Sequence, residues 1–521
     1  MLSKIFCAAC RGIEAFTVTI EVDISDGICF YLVGLPDNAI KESQQRIGSA
    51  LEKFGYRIPG KRVVINMAPA NIRKEGSAFD MPIALGIICA AGQIPHDRIS
   101  QDRLNEFIIL GELALDGSLR AIGGALPIAI HARDNGFKGC ILPPESAIEA
   151  SEVDGILIYA ARNVKEVIDI LSSPKESSNK IVVRKQNIPD TNNYDNSLYD
   201  VDFADIKGQI MAKRGLEIAA AGSHNLIMIG SPGCGKTYLA KALKSILPPM
   251  SREEALETGK IYSIAGMFDF NKGLSYERPY RMPHHTSTMI SLVGGGVNSL
   301  PGEISLAHNG VLFADELPEF GRNVLEALRQ PLEDGYVTIC RAKNKYIYPA
   351  SFMFIATMNP CPCGRLYDQP DKCTCSSTSI LKYIGRISEP LMDRIDLSCE
   401  MSAPSFNELS KPGKGEPSSE IRKRVISARN IQAERFKDEN GVYCNAQMSE
   451  HMVQKYVKLD NSALELLRKA MQRLNLSARA YSRILKVART IADLGGDENI
   501  NSKHIAEAIS YRRMDRESWG K

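Results

Sequence analysis

A chain of 521 residues that is 44% hydrophobic and 24% charged is long enough for about three domains and apolar enough for each to build a core, which excludes a disordered or fibrous protein. Its net charge of +3 excludes any bulk-charge argument for nucleic acid, so a basic surface has to be argued from particular residues. Arg11 and Glu14 interrupt the apolar residues near the N-terminus, and the longest apolar stretch, near Met81 to Ala91, is too short to cross a bilayer, so no membrane partner is expected. Taken in order, the chain first shows strand-like runs at Phe16 to Val22, Cys29 to Val33, Arg62 to Met67, Phe107 to Leu110 and Cys140 to Leu142. Helical periodicity fits Ala39 to Phe54, Pro82 to Ala91 and Leu126 to Asn135. These predict one compact α/β domain over residues 1–171.

Within that domain, Lys74-Glu75-Gly76-Ser77-Ala78, Leu110-Gly111-Glu112-Leu113, Leu119 through Gly124, and Ile141-Leu142-Pro143 resemble the proteolytic domain of Lon-type proteases. A Ser-Lys dyad needs a hydroxyl beside a lysine whose pKa is low enough to act as base. In the Lon pattern that lysine lies two residues after the Gly-Gly pair, where this chain has Leu126; the next lysine is Lys138, and Phe79-Asp80 stand where Lon has glycine. The expectation is a Lon-like domain lacking protease chemistry.

Residues 172–199 are polar, without apolar periodicity, and read as a linker. The central domain, residues 200–402, is organised around Gly230-Ser231-Pro232-Gly233-Cys234-Gly235-Lys236-Thr237. This segment fits G-x-x-x-x-G-K-[ST] between an apolar strand, Leu226 to Ile229, and a helix that begins near Tyr238. Such a loop turns backbone N–H groups toward a triphosphate, with Lys236 on the β/γ-phosphates and Thr237 on Mg²⁺. Two further apolar runs end in functional-type residues: Val311 to Ala314 in Asp315-Glu316, and Phe352 to Ala356 in Thr357-Met358-Asn359. Three such runs read as buried parallel strands sharing one carboxyl edge, where open α/β sheets bind ligands. Asp315 is then the Mg²⁺ residue, Glu316 polarises the attacking water, and Asn359 positions that water or the γ-phosphate. The lead-in segment Phe203 to Gln209 resembles the adenine-side segment of AAA+ ATPases, which implies nucleotide contacts for Ile206, Gly208 and Gln209.

The interval from Leu247 to Ala307 is longer than a strand crossover needs and reads as an inserted functional element. It holds Arg278-Pro279-Tyr280-Arg281-Met282-Pro283-His284-His285 and Gly294-Gly295-Gly296; Pro301 to Phe320 and Leu328 to Gly335 follow. On these residues the chain resembles the ComM/YifB family of magnesium-chelatase-like AAA+ ATPases over essentially its whole length. The resemblance implies ATP and Mg²⁺ as cofactors and a homo-oligomer, expected to be a hexamer. It also implies a motor on single-stranded or branched DNA that drives branch migration in recombination or natural transformation. Its alternative is a magnesium-chelatase-like ATPase that remodels a partner protein or drives metal insertion.

Several residues carry two readings. Val337 to Tyr348 reads as a β-hairpin with Arg341, Lys343 and Lys345 near its tip and Tyr346 and Tyr348 beside them. It is either a DNA-contacting element, with bases stacked on the tyrosines, or a solvated turn. Arg278, Arg281, His284 and His285 face either DNA or a neighbouring subunit. Cys361, Cys363, Cys373 and Cys375 are either a structural Zn²⁺ site or free thiols. The 13 cysteines are odd in number and scattered, which suits a reducing, cytoplasmic compartment. By resemblance Arg394 is the arginine finger, with Arg386 as the other candidate. Residues 403–521 read as a helical lid. By the same resemblance its Arg479, at the start of a helix, is the sensor-2 arginine that swings onto the nucleotide as the lid closes.

Overall fold

The computed structural model describes residues 2–173, 180–181, 201–296, 299–341, 344–367, 373–404, 410, 415–473 and 476–512. They fall into two compact units. One comprises Met1–Ile188, Arg252–Ser275 and Ala342–Ile347; the other comprises Pro189–Ser251, Tyr276–Arg341 and Tyr348–Lys521. Most of the expected linker, residues 172–199, lies outside the described residues.

The first unit is built on an eight-stranded mixed sheet. Its order is Lys180–Ile181, Leu157–Ala160, Gly139–Leu142, Phe107–Ile109, Leu2–Arg11, Glu14–Ser25, Arg62–Ala68, Cys29–Val33. Leu2–Arg11 pairs antiparallel with Glu14–Ser25 from Leu2↔Asp23 to Arg11↔Glu14. The sequence hides this strand because its buried face carries Ser3 and Cys7 beside Ile5, whereas Leu2 stands exposed. Helix Asp80–Ala90 is apolar on nearly every side and buried along ten of its eleven residues, as a helix enclosed by its own domain must be.

Asp80 opens that helix at 1% exposure. Arg46 donates to both of its carboxylate oxygens, at 2.7 and 2.9 Å, and the Leu113 N–H donates at 3.3 Å. Burial raises the Asp80 pKa from the ordinary aspartate value, and the Arg46 contact opposes that shift. Removing one partner of a buried pair leaves the other charge uncompensated, at a cost of about 3–5 kcal/mol. Arg46→Ala should therefore lower the urea midpoint of the protein clearly, and Arg46→Met combined with Asp80→Leu should recover most of the loss. An unchanged midpoint in Arg46→Ala would mean that the pair does not hold this helix.

The second unit contains a five-stranded sheet in the order Tyr280–Arg281, Val311–Ala314, Met353–Met358, Leu226–Gly230, Leu397–Met401. Every neighbouring pair is parallel. The three central strands are buried at every residue, which is why they read as unbroken apolar runs. Helix Ile210–Gly222 and the C-terminal helices Ser418–Arg435, Ala478–Gly495 and Ser502–Ser510 share one core with this sheet through Leu216, Leu226, Val425, Leu485 and Ile505. The long interval expected as an insertion contains helix Arg252–Ile264, which belongs to the first unit, helix Met289–Val293, and a small ladder between Gly294–Gly295 and Leu300–Pro301. Among the described residues, no helix is long and apolar enough to cross a membrane.

A candidate nucleotide site at the sheet edge

Strand register brings the site together. Ile229 is level with Met358, and Ala314 with Ala356, so Gly230, Asp315 and Asn359 leave the sheet within a residue or two of one another. The phosphate-type loop then turns at Gly233 (φ +82°) and Gly235 (φ +93°), a region that side chains disfavour, and a Cβ at either position would meet nothing within 4 Å. Glycine is required there by the backbone, and the space it leaves is open. The Lys236 ammonium donates to the Gly230 carbonyl at 2.6 Å, the Ser231 carbonyl at 3.0 Å and Asn359 Oδ1 at 3.1 Å. Its partial burial lowers its pKa from the ordinary lysine value, opposed by Cys234, Asp315 and Glu316.

Thr237 Oγ1 donates to Asp315 Oδ2 at 3.0 Å, and the Thr357 hydroxyl donates to the other Asp315 oxygen. A hydroxyl and a carboxylate side by side form a donor set that suits Mg²⁺. Glu316 adopts a left-handed conformation (φ +53°) with its N–H on Thr357 Oγ1 at 3.0 Å. Such conformations in non-glycine residues gather at functional sites. The Glu316 side chain is exposed and, with Asn359, lines a cleft of about 660 Å³ that also takes in His285, Tyr383 and Arg386. Sequence reasoning assigned His285 no place here; its proximity to Glu316 depends on the path of the long interval, which no local pattern records.

In the lead-in segment, Ile206 is buried and Gly208 takes φ +63°. The Gln209 amide donates to the carbonyls of Cys234 (3.3 Å) and Ser402 (2.7 Å), tying this segment to the loop and to the last strand. Within the loop Cys234 and Ser231 are buried and Pro232 is exposed, and Tyr238 beyond it is 46% exposed.

The arginines divide between two locations. Arg386 is exposed in the cleft of its own chain, paired with Glu319 at 3.0 Å. Arg394 is only 7% exposed, forms an ion pair with Glu333 and donates to the Pro390 carbonyl at 2.6 Å. Burial, helped by Arg329, Arg479 and Arg483, lowers its pKa from the ordinary arginine value. Arg479 shares Glu333, at 3.7 Å. Arg479, expected to swing onto the nucleotide as the lid closes, here holds the carboxylate that also holds Arg394.

Two arginines expected to face DNA or a neighbouring subunit have partners within the chain. Arg278 donates to the carbonyls of Pro248 (2.9 Å), Asn309 (2.7 Å) and Pro249 (3.4 Å), stapling three backbone segments. Arg281 makes a two-pronged ion pair with Glu303 at 2.6 and 2.7 Å. The hairpin forms, from Tyr336–Arg341 and Asn344–Pro349. Lys345 on it is exposed, but Tyr348 is buried with its hydroxyl on the Ser299 carbonyl at 2.8 Å, so its ring is not free to stack on a base. The side chain of Arg341 and the whole of Lys343 lie outside the described residues. The four clustered cysteines do converge: all their sulfurs lie within 4.8 Å of one another.

In the first unit Leu126 is fully buried, and Lys74 gives its ammonium protons to the carbonyls of Gly34, Met67 and Pro69. Ser77 donates to Glu112. A cavity of about 210 Å³ over this turn is lined by Ala78, Phe79, Ile122 and Gly123 among others, with no serine or lysine in its lining.

Comparison with known proteins follows the same division. The magnesium chelatase subunit ChlI family matches residues 202–409, its further ChlI segment matches 20–146, and its C-terminal segment matches 415–512. Competence protein ComM of Haemophilus influenzae is 42% identical over 517 residues, covering 99% of this chain and 98% of that protein. YifB of Salmonella typhimurium, an uncharacterized protein, is 40% identical over 517 residues with the same coverage. The chain belongs to the ComM/YifB family of magnesium-chelatase-like AAA+ ATPases. Lon protease 2 of Bacillus subtilis is 31% identical over 136 residues, 26% of this chain and 23% of that protein. In this ComM/YifB member the likeness to Lon is thus confined to a fraction of the length, whereas the ChlI-type segments span both units.

Proposed function

We propose that this protein is an ATP-hydrolysing ring motor, a hexamer, that works on single-stranded or branched DNA in the cytoplasm as a branch-migration helicase. One juxtaposition carries the hydrolase part: Lys236 on Asn359 and Thr237 on Asp315, at the open end of a parallel sheet. Lys236 and the loop N–H groups bind the triphosphate, and Thr237 with Asp315 would hold Mg²⁺, which supplies charge neutralisation at the phosphates. Glu316 orients and deprotonates the attacking water in the cleft, and Asn359 fixes that water or the γ-phosphate. Gln209 keeps the lead-in segment, with Ile206 and Gly208, against the loop.

Arg394 is the proposed finger because Arg386 already lies in its own chain's cleft, whereas Arg394 is held on Glu333 with Arg479 beside it. Arg394 and Arg479 would then act together on the nucleotide of a neighbouring protomer. The Lon-like domain is proposed to have no peptidase activity, since a buried Leu126 stands where the Lon pattern has lysine, and Lys74 is held by the carbonyls of Gly34, Met67 and Pro69.

The DNA part is supported by membership of the family of competence protein ComM and by the basic hairpin. A second reading, an ATPase that remodels a partner protein or drives metal insertion, is favoured by the ChlI match over 202–409. ATP turnover measured with and without single-stranded and branched DNA separates them. The motor requires stimulation by DNA, the second reading requires none, and absence of turnover under all conditions defeats both. Replacing Arg341, Lys343 and Lys345 together by Ala should weaken DNA binding at every sequence and flatten its salt dependence, by about one unit of log–log slope for each phosphate that is no longer neutralised. An unchanged slope removes the hairpin from the DNA surface.

A further inference from the structure

The hydrolase reading leaves the four cysteines after the sensor strand Met353–Met358 without a task. Cys361 is buried and Cys363, Cys373 and Cys375 are half-buried. Their sulfurs stand 3.4 Å (Cys361 to Cys363), 3.5 Å (Cys363 to Cys373) and 3.8 Å (Cys361 to Cys373) apart. Sulfurs joined in a disulfide are about 2.0 Å apart, so these are not bridged pairs. Four thiolates at about 2.3 Å from one tetrahedral ion must lie about 3.8 Å from each other; the first three sulfurs stand 3.4–3.8 Å apart and Cys375 lies within 4.8 Å of them. Thiols are weak hydrogen-bond donors and acceptors, so four of them gain little by meeting unless an ion draws them in. A closed all-sulfur tetrahedron selects a soft ion such as Zn²⁺ over Mg²⁺ or Ca²⁺.

The position of the cluster gives it a consequence. Asn359, whose side chain accepts from Lys236 at 3.1 Å, precedes Cys361 by two residues. Pro362, between the first two cysteines, lines the cleft with Glu316 and Asn359. Gly364 closes the turn onto the Cys361 carbonyl at 3.0 Å. It takes φ +77°, and a Cβ added there would stand 2.4 Å from Cδ of Pro232 in the phosphate loop. The cysteine turn is therefore seated on the back of that loop.

We propose that Cys361, Cys363, Cys373 and Cys375 bind one Zn²⁺ in a closed tetrathiolate site, and that this site braces the phosphate loop through the Gly364–Pro232 contact. The ion ties Cys361 and Cys363 to Cys373 and Cys375, so the turn at Gly364 cannot drift away from Pro232. The bracing half rests on the proposed nucleotide site; the metal half does not.

Full-length protein purified without added metal should carry about one zinc per chain by elemental analysis, as one closed site requires. Protein prepared with Co²⁺ instead should show the intense sulfur-to-cobalt charge-transfer and visible d–d bands of a tetrahedral thiolate site. Cys363→Ser with Cys375→Ser should lose both signals, whereas Cys340→Ser, at an exposed cysteine outside the cluster, should keep them. Gly364→Ala tests the brace without touching a ligand: it should retain zinc and bind a fluorescent ATP analogue about tenfold more weakly, a loss of about 1.4 kcal/mol. Wild-type protein with neither zinc nor the cobalt spectrum, or with iron in its place, overturns the metal assignment. Zinc at full occupancy with unaltered analogue binding in Gly364→Ala overturns the brace. If zinc-loaded wild-type protein binds no analogue at all, the nucleotide reading has failed and the brace fails with it, while the metal site stands.

Discussion

Glu316→Gln is expected to bind ATP as the wild type does and to hydrolyse it about 10²–10⁴-fold more slowly, the range typical of losing a positioned general base. The amide has nearly the shape of the carboxylate, and its backbone N–H keeps the bond to Thr357 Oγ1 at 3.0 Å, so the turn should survive. What disappears is an acceptor basic enough to draw a proton from water. Lys236→Ala should behave differently. Its ammonium is held by Gly230, Ser231 and Asn359, and its removal takes a charge-assisted phosphate contact worth about 1.5–3 kcal/mol, or roughly 10–100-fold in affinity, with turnover falling further. The pair is read by equilibrium binding of a labelled ATP analogue alongside phosphate release. Ordinary turnover in either variant would remove these residues from the chemistry, and weak binding in Glu316→Gln would make its carboxylate a ligand for the nucleotide instead.

The contrast between these two residues and the arginines shows what could be read from the chain before its structure. The phosphate loop is a local device: its glycines, lysine and threonine are eight consecutive residues between a strand and a helix, so the motif carries its own geometry. Val311–Ala314 and Met353–Met358 were legible because strands covered on both faces are apolar without interruption. Pairwise partners are not local. Nothing near Arg278 announces that three carbonyls from Pro248, Pro249 and Asn309 absorb its guanidinium. Nothing near Arg281 announces Glu303. A basic side chain in a conspicuous motif looks the same whether it meets phosphate or its own backbone, and only tertiary distance separates the two.

Other features that the sequence does not announce have the same root. Tyr348 follows the strand period, yet its burial against Ser299 depends on an interval some fifty residues earlier in the chain. The first strand, Leu2–Arg11, is hidden in the sequence because Ser3 and the small Cys7 face inward while Leu2 is exposed. Helix Ser418–Arg435 lacks a clean apolar stripe, since Arg422 and Gln432 are buried with Ile421 and Val425. The grouping of Arg252–Ser275 with the first unit reflects contacts such as Arg252 with Asp154 at 2.7 Å, for which the surrounding sequence holds no boundary signal. The cysteine cluster is the opposite case: the residues were visible, and the structure supplies the convergence that spacing alone left open.

Arg394→Ala is expected to lower turnover by about 10³-fold or more, the scale of losing an arginine that meets the transferring phosphoryl group, with nucleotide binding largely retained. In the isolated chain Arg394 is 7% exposed and occupied by Glu333, whose side chain is 50% exposed and also engages Arg479. That arrangement suits a residue stored at one surface and released when a more strongly charged phosphate on the next protomer competes for it. A head-to-tail ring gives each site an arginine from its neighbour, which makes a mixing experiment decisive. Lys236→Ala chains lack a working site but keep Arg394, and Arg394→Ala chains keep the site but offer no finger. After subunit exchange, a 1:1 mixture of the two inactive variants should regain about a quarter of the wild-type rate, since that fraction of neighbouring pairs unites an intact loop with an intact finger. The same mixture made with Arg386→Ala in place of Arg394→Ala should gain nothing from exchange, because Arg386 lies in the cleft of its own chain. A first mixture that stays inactive although labelled subunits have exchanged would mean that Arg394 acts within its own protomer, and the proposed ring would lose its chemical basis.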